Sequence, residues 1–333
     1  MTMHPAPMSD FRMPEDAAAA RAVADAVTAN VEQVLRGKTE AVRLALSCLL
    51  AGGHLLIEDL PGTGKTSLAK ALATSIGGIS QRIQFTPDLL PTDITGVSVW
   101  DPERRVFDFR PGPVFANVVV ADEINRASPK TQSALLEVME EDQVTIDGQA
   151  HRVPSPFLVV ATQNPIDLEG TYRLPEAQLD RFLMRISLGH PDLAVEEEIL
   201  TGRASAAVPV LRAVTSPEQI DRVRRTVATI HTAPEIARYI ATIADGTRRH
   251  DALRLGVSTR GSLALLRAAQ AHAVCAGRHY VVPDDVKATA AAVLTHRLVV
   301  AAQAEVRGVT AAAVLAEVLE TVRVPTPVAA GRT

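Results

Sequence analysis

The sequence predicts an α/β fold built on a parallel sheet, followed by an all-helical domain. Three observations predict it. Between about Asp16 and Leu188, short β-branched runs alternate with helical patterns, as in a sheet whose faces are covered by helices. Those runs are apolar without alternation, which suits strands buried on both sides. From Pro191 to about Arg323 the strand signals nearly vanish, apart from HYVV at 279–282, and an Ala/Leu/Val periodicity takes over. A length of 333 residues is enough for two such domains and a sizeable core.

In chain order, residues 1–16 are rich in Met and Pro and read as a flexible tail. Residues 17–189 read as the α/β core. Its five core strands are predicted at His54–Glu58 (HLLIE), Arg82–Phe85 (RIQF), Asn117–Ala121 (NVVVA), Phe157–Ala161 (FLVVA) and Leu183–Ser187 (LMRIS). Two segments alternate polar and apolar residues as exposed antiparallel hairpins do: 95–109, turning at Asp101-Pro102, and 143–153, turning at Asp147-Gly148. Residues 190–324 read as a helical lid, with helix starts at Ser216-Pro217 and Pro283-Asp284, and 325–333 as a second flexible tail.

Composition excludes several classes. A formal net charge of −4 argues against a protein whose main task is to grip nucleic-acid phosphates. No window reaches ~18 uninterrupted apolar residues, because Leu44–Ile57 is broken by Ser47, Gly52, Gly53 and His54, so no membrane span is expected. The N-terminus lacks a basic start followed by an apolar run, which makes the cytoplasm the expected location. Cys48 and Cys275 sit in apolar surroundings and read as reduced core residues, and the nine histidines have no ligand spacing.

The chemistry is concentrated in five segments. The first strand runs into Glu58-Asp59-Leu60-Pro61-Gly62-Thr63-Gly64-Lys65-Thr66 and then an apolar helix, the order a phosphate-binding loop requires. Gly62 and Gly64 let backbone N–H groups turn inward around phosphate oxygens, and the helix N-terminus adds its positive end. Asp59, Pro61, Gly62, Thr63, Gly64, Lys65, Thr66 and Ser67 are therefore the candidate nucleotide contacts. Lys65 is expected to reach the β- and γ-phosphates and Thr66 to ligate Mg²⁺. Asp59 stands where the general pattern has Gly, and Asp tolerates unusual backbone angles.

Four apolar residues, Val118–Ala121, then lead into Asp122-Glu123. Asp122 is assigned to Mg²⁺ and Glu123 to polarising the attacking water. The strand FLVVA ends in Thr162-Gln163-Asn164-Pro165, where a neutral amide can orient water between Glu123 and the γ-phosphate. Downstream, Leu174–Phe182 is expected to form a short helix that delivers Arg181 just before the last strand. Arg260 lies in the first turn of a helix capped by Ser258 or Thr259, where a cation opposes the helix dipole. That unfavourable position suggests an anionic target, with ATP phosphates in the cleft under the lid as the candidate. Arg126 and Lys130 read as surface or interface charge.

These segments resemble the MoxR family of AAA+ ATPases from about Val34 to Pro325. The resemblance is carried by EDLPGTGKT at 58–66, QFTPDLLPTDITG at 84–96, ADEINRASPKTQSALLEVMEE at 121–141, ATQNPIDLEGTYRLPEAQLDRF at 161–182, STRGSLALLRAAQAHA at 258–273 and PDDVKA at 283–288. It implies an ATPase core with strand order 5-1-4-3-2, a helical lid, nucleotide sites between neighbouring subunits and a homo-oligomeric ring, usually a hexamer. It implies sensor 1 at Asn164, an arginine finger at Arg181, sensor 2 at Arg260 and an adenine-side segment at Val34–Lys38 that includes Gly37. The hairpins would be inserts, one interrupting the second helix and one preceding the Asn164 strand. Departures are Lys38, where the family often has Gln, and Arg173, where it usually has Pro; Arg173 is thereby a second candidate finger.

The expected function is that of a Mg²⁺-dependent, chaperone-like ATPase acting on a protein client or on an adaptor with a von Willebrand factor A domain. A nucleic-acid motor is disfavoured by the acidic balance. A nucleotide-dependent scaffold with little turnover is disfavoured by the joint presence of Glu123, Asn164 and Arg181. Trp100, beside the first hairpin turn, either packs on its own hairpin or belongs to a client-facing surface.

Overall fold

A computed structural model describes residues 14–59, 62–164, 172, 174–190, 193–201 and 210–325. The chain opens with helices α1 (Pro14–Glu32) and α2 (Thr39–Leu50), strand β1 (Leu55–Glu58), α3 (Lys65–Ser75) and β2 (Ser80–Gln84). A one-turn α4 (Pro91–Thr95) leads into the hairpin β3 (Gly96–Asp101) and β4 (Val106–Pro111). After β5 (Val118–Asp122) and α5 (Pro129–Glu141) comes the second hairpin, β6 (Gln143–Ile146) and β7 (Gln149–Arg152). Strand β8 (Leu158–Gln163), the short α6 (Glu176–Leu179) and β9 (Met184–Ile186) complete the core.

The five core strands form one parallel sheet ordered β2-β5-β8-β1-β9. Counting only these strands in chain order, this is the expected 5-1-4-3-2. Every residue of β5 is buried, as its unalternated Val run anticipates. β2 is an edge strand, so it tolerates polar residues and starts at Ser80, earlier than its apolar content suggests. Period-two alternation splits the strands between two cores: Leu55, Ile57, Val118 and Val120 face one cluster, Leu56, Val119 and Ala121 the other.

Both hairpins are present. The second turns on Asp147 (φ +50°) and Gly148 (φ +76°), the two positive φ values that a tight type I′ turn needs. Phe109 of β4 stacks on His151 of β7 with centroids 4.1 Å apart, so the two inserts touch. The first hairpin follows α4, but the chain after β4 reaches β5 through turns and not through a resumed helix.

The lid comprises α7 (Leu193–Leu200), α8 (Pro217–Ala228), α9 (Pro234–Arg248), α10 (Thr259–Cys275), α11 (Pro283–Leu294), α12 (Ala302–Glu305) and α13 (Ala311–Thr321). Ser216 caps α8 by accepting from the Gln219 N–H, and Ser258 caps α10 by accepting from Gly261. HYVV forms only a single bridge, Tyr280 to His231, whereas a small antiparallel pair joins β10 (Leu253–Leu255) to β11 (Val299–Val300), the latter inside the apolar run LVVAA at 298–302. α10 packs on α1 and α2, and lid residues such as Val274 and Val293 share one hydrophobic cluster with Leu55 and Leu72 of the core. The lid is thus seated on one face of the sheet and not on a separate core of its own.

Of the expected tails, residues 1–13 and 326–333 lie outside the described residues, and α1 already begins at Pro14. Cys48 is fully buried and Cys275 partly so; both are free thiols, and burial pushes Cys275 up to about 11. Among the described residues no helix is long and apolar enough to cross a membrane.

Candidate active site

The C-terminal ends of β1, β5 and β8 open into one cleft lined by Gly62, Gly64, Lys65, Thr66, Asp122, Glu123, Thr162 and Asn164, with Ser67 also at its wall. Gly62 (φ +86°) and Gly64 (φ +92°) both adopt left-handed backbone, which glycine reaches without strain. A Cβ on Gly62 would point into open space, and one on Gly64 would meet only Leu35 Cδ2 at 3.6 Å. That contact also brings the segment containing Gly37 (φ +71°) over the loop. Gly64 is the N-cap of α3 and no side chain caps the helix, so the first-turn N–H groups of Lys65, Thr66 and Ser67 face the cleft as an anion site. Lys65 Nζ donates to the Asp59 carbonyl at 2.7 Å. Pro61 lies outside the described residues.

Asp59 corrects the sequence reading. Its carboxylate is buried and accepts the backbone N–H groups of Leu188 and Gly189, the latter at 3.0 Å. Among the described residues it is not one of those with positive φ. Its side chain therefore turns away from the phosphates and ties the loop to the segment joining core and lid.

Asp122 Oδ1 accepts from Thr162 Oγ1 at 2.5 Å, and Oδ2 accepts from Arg82 Nη2 at 2.6 Å and Nε at 3.0 Å. The same Thr162 oxygen accepts the Glu123 N–H at 2.9 Å, so one buried hydroxyl positions both acids. Glu123 has φ +56° and ψ +51°, a left-handed conformation costly for a long side chain and typical of strained functional positions. Its Oε2 accepts from Gln84 Nε2 and from Arg126 Nη1, each at 3.0 Å. Arg126 is thus not a plain surface charge but a partner of Glu123.

Arg181 and Arg260 are elsewhere. β1 runs from His54 toward the phosphate loop, and the chain bearing Arg181 joins it at the opposite end, where the Leu183 N–H donates to the His54 carbonyl at 2.9 Å. The helix expected to carry Arg181 is only one turn long, and Arg181 lies just beyond it. Arg181 Nη1 contacts Glu140 Oε2 at 2.6 Å and donates to the Leu136 carbonyl at 2.8 Å. Arg260 Nη2 lies 3.4 Å from Glu140 Oε1 and its Nε 3.8 Å from Asp180 Oδ2. Arg260 thus stands away from the cleft lined by Lys65 and Glu123: α10 is seated on α1 and α2, and its first turn lies at Asp180. Buried His54 secures this end, with Nε2 on the Met139 carbonyl at 2.9 Å and Nδ1 accepting from Val159 at 3.0 Å; burial lowers its pKa to about 4.

Comparison with known proteins places this arrangement. Residues 54–184 match the ATPase family associated with various cellular activities, and residues 245–318 match the AAA lid domain. The chain is 41% identical to chaperone MoxR1 of Mycobacterium tuberculosis, over 89% of this chain and 80% of that protein. It is 34% identical to the protein MoxR of Paracoccus denitrificans, over 80% and 85%. The chain belongs to the MoxR family of AAA+ ATPases. It is also 47% identical to the uncharacterized protein YeaC of Bacillus subtilis, over 89% of this chain and 93% of that one. A crystal structure of a candidate ATPase from Cytophaga hutchinsonii superposes with a TM-score of 0.87 at 34% identity, covering 94% of this chain and 98% of the other.

Membership in the MoxR family carries nucleotide binding with it, and the cleft fits a nucleotide with its metal: an uncapped helix terminus, a lysine and two carboxylates meet there. Three residues around the MoxR acidic pair were missed in the sequence, namely Arg82, Gln84 and Thr162. Their only signal is the polar alternation of β2 and one hydroxyl at the end of β8, and neither has meaning until β2 and β8 are known to flank β5. Arg173, the other candidate finger, lies outside the described residues.

Proposed function

We propose that this MoxR protein is a Mg²⁺-dependent ATP hydrolase, working as a chaperone-like remodeller in a cytoplasmic homohexameric ring. The observation that carries this reading is the separation of the two half-sites: the phosphate cleft and the Arg181–Arg260 pair lie at opposite ends of β1 and cannot meet on one nucleotide. Each nucleotide is therefore completed by the arginines of the next subunit. Lys65 and the α3 N-terminus hold the β- and γ-phosphates. Thr66 and Asp122 would hold Mg²⁺, which neutralises phosphate charge when bound.

Asn164 orients a water between Glu123 and the γ-phosphate. Gln84 and Arg126 occupy Oε2 of Glu123, which leaves Oε1 to take the proton from that water as its oxygen bonds to phosphorus. The bond to the bridging oxygen breaks, and ADP and inorganic phosphate leave. Arg181 of the neighbour stabilises the charge on the transferring group.

Client contact is assigned to the hairpin tips, 101–105 and 147–151. Support comes from Phe107, 68% exposed, and Trp100, 49% exposed, paired with centroids 5.1 Å apart at a tip that supplies no nucleotide ligand. Trp100 therefore both packs on its own hairpin and faces outward, as aromatic anchors at binding surfaces do. The adaptor is a von Willebrand factor A domain.

Lys65→Ala should abolish ATP binding, whereas Glu123→Gln should retain binding and lose hydrolysis, read with a fluorescent ATP analogue and phosphate release with and without chelator. Loss of binding in Glu123→Gln, or full hydrolysis without divalent metal, overturns the site reading. The nucleotide-trapped Glu123→Gln ring is the bait for client and adaptor, and its mass with ATP tests the hexamer.

A further inference from the structure

The lid contributes one buried charge to the finger segment. Arg297, in the turn that ends α11, has a side chain only 4% exposed. Its Nε donates to Asp180 Oδ1 at 2.6 Å, and Nη2 donates to the carbonyls of Asp180 at 3.1 Å and Phe182 at 2.8 Å. Nη1 donates to the Leu183 carbonyl at 3.2 Å and to the Val293 carbonyl of its own helix. Four of these bonds fall on residues 180–183, the segment whose second residue is Arg181. A buried guanidinium is costly unless its donors are used, and an apolar side chain would fill the same space more cheaply. Here the planar fork is spent on four carbonyls and one carboxylate, a set that no ammonium or apolar group satisfies.

The carboxylate that Arg297 holds by Oδ1 faces Arg260 with Oδ2. Glu140 in turn contacts both Arg260 and Arg181. Arg260 and the half-buried Arg181 thus share a frame that Arg297 ties to the lid, together with His296 on the Phe182 carbonyl. Gly261 permits the fit, since a Cβ there would lie 3.1 Å from Arg297 Cδ and 2.9 Å from Val257 Cγ1.

We propose that Arg297 is a positioning residue that locks the 180–183 segment to the lid, so that Arg181 and Arg260 are presented as one unit to the neighbouring subunit's nucleotide. The lid of one subunit thereby controls hydrolysis in the next, while its own phosphate cleft stays competent. This rests on the reading that the arginines act on the neighbour.

Arg297→Met should lower kcat on the order of 10²-fold, the scale of a misplaced catalytic group, with the KM for ATP unchanged. Arg297→Lys, which keeps the ion pair but not the fork, should recover part of the rate. Mixed rings, verified by native mass spectrometry, separate positioning from damage. Arg297→Met retains a good phosphate cleft, so it should regain activity with Lys65→Ala, which retains good arginines, and none with Arg181→Ala. Recovery with neither, while Lys65→Ala and Arg181→Ala recover together, overturns the proposal and leaves the neighbour reading standing. Unchanged kcat in Arg297→Met does the same. If Lys65→Ala and Arg181→Ala fail to recover together, the neighbour reading falls and takes the proposal with it. Should Arg297→Met not fold, Gly261→Ala, which crowds Arg297 from the other side, must give the same pattern of recovery.

Discussion

The two ends of the sheet are built on different principles. At the C-terminal end the phosphate cleft is made of backbone N–H groups, glycine geometry and two acids fixed by one hydroxyl, nearly all from strand ends. At the other end the arginines are held by side-chain carboxylates from other elements, Glu140 from α5 and Asp180 from the turn after α6. The first end offers donors to an anion; the second sets Arg181 and Arg260 among carboxylates, Glu137, Glu140 and Asp180. On the proposed reading a single chain holds two complementary half-sites that face apart, which favours rings over isolated subunits.

The largest test of this contrast is Arg181→Ala. A finger is worth about 10³–10⁵ in rate, so hydrolysis should collapse while a labelled ATP analogue still binds the intact cleft. Loss of binding would mean the two ends are not independent.

Next in size is a cluster with charge but no assigned chemistry. Asp285 is fully buried in the lid; burial would raise its pKa, but hydrogen bonds from Arg278, His272 and the Val282 N–H hold it below the ordinary 3.8. A depressed pKa stabilises the fold above the unfolded value, and that stability is lost as pH falls through the folded one. The wild type should therefore lose this contribution only below about pH 4. Asp285→Asn should cost about 3 kcal/mol in denaturant unfolding at neutral pH, the lower end for breaking a buried pair, because Arg278 keeps some contact with water. Its hydrolysis rate per folded ring should stay unchanged, the reverse of Arg181→Ala.

A smaller effect separates holding from catalysis. Glu140 bridges Arg181 and Arg260 within the chain, and on the proposed reading it must release them to the neighbour's phosphate. Removing an exposed pair of up to ~1 kcal/mol by Glu140→Gln should raise hydrolysis up to about fivefold at protein concentrations where rings are incomplete. A fall in rate would instead make Glu140 an orienting group.

The smallest expected effect is on basal turnover when the tips at 101–105 and 147–151 are cut to two-residue turns. Ring formation and basal ATPase should hold while client-stimulated ATPase is lost. Loss of the ring would assign the hairpins to assembly.

Legibility followed the same division. Gly62, Gly64, Lys65, Asp122, Glu123 and Asn164 stand in contiguous strings whose chemistry can be read before folding, and five core strands were recognisable from apolar runs. Asp59 was misread because a loop motif does not reveal that a side chain bonds the amides of Leu188 and Gly189, about 130 positions away. Arg82 and Gln84 were passed over because polar residues in an edge strand carry no mark of their neighbour.

What the sequence by itself determined is the set of local structures: strands from buried runs, helix starts from caps, and an anion-binding loop from glycines ahead of a helix. These depend on interactions within a few residues, so short strings encode them. What only the tertiary structure decided is which charges meet. Asp122 with Arg82, Asp180 with Arg297, and Arg260 with Glu140 pair across 40, 117 and 120 positions respectively. Those pairings depend on strand order and on where the lid is seated, and both are set by the burial of apolar faces, which has no direction of its own and leaves no signature at the charged residues it brings together.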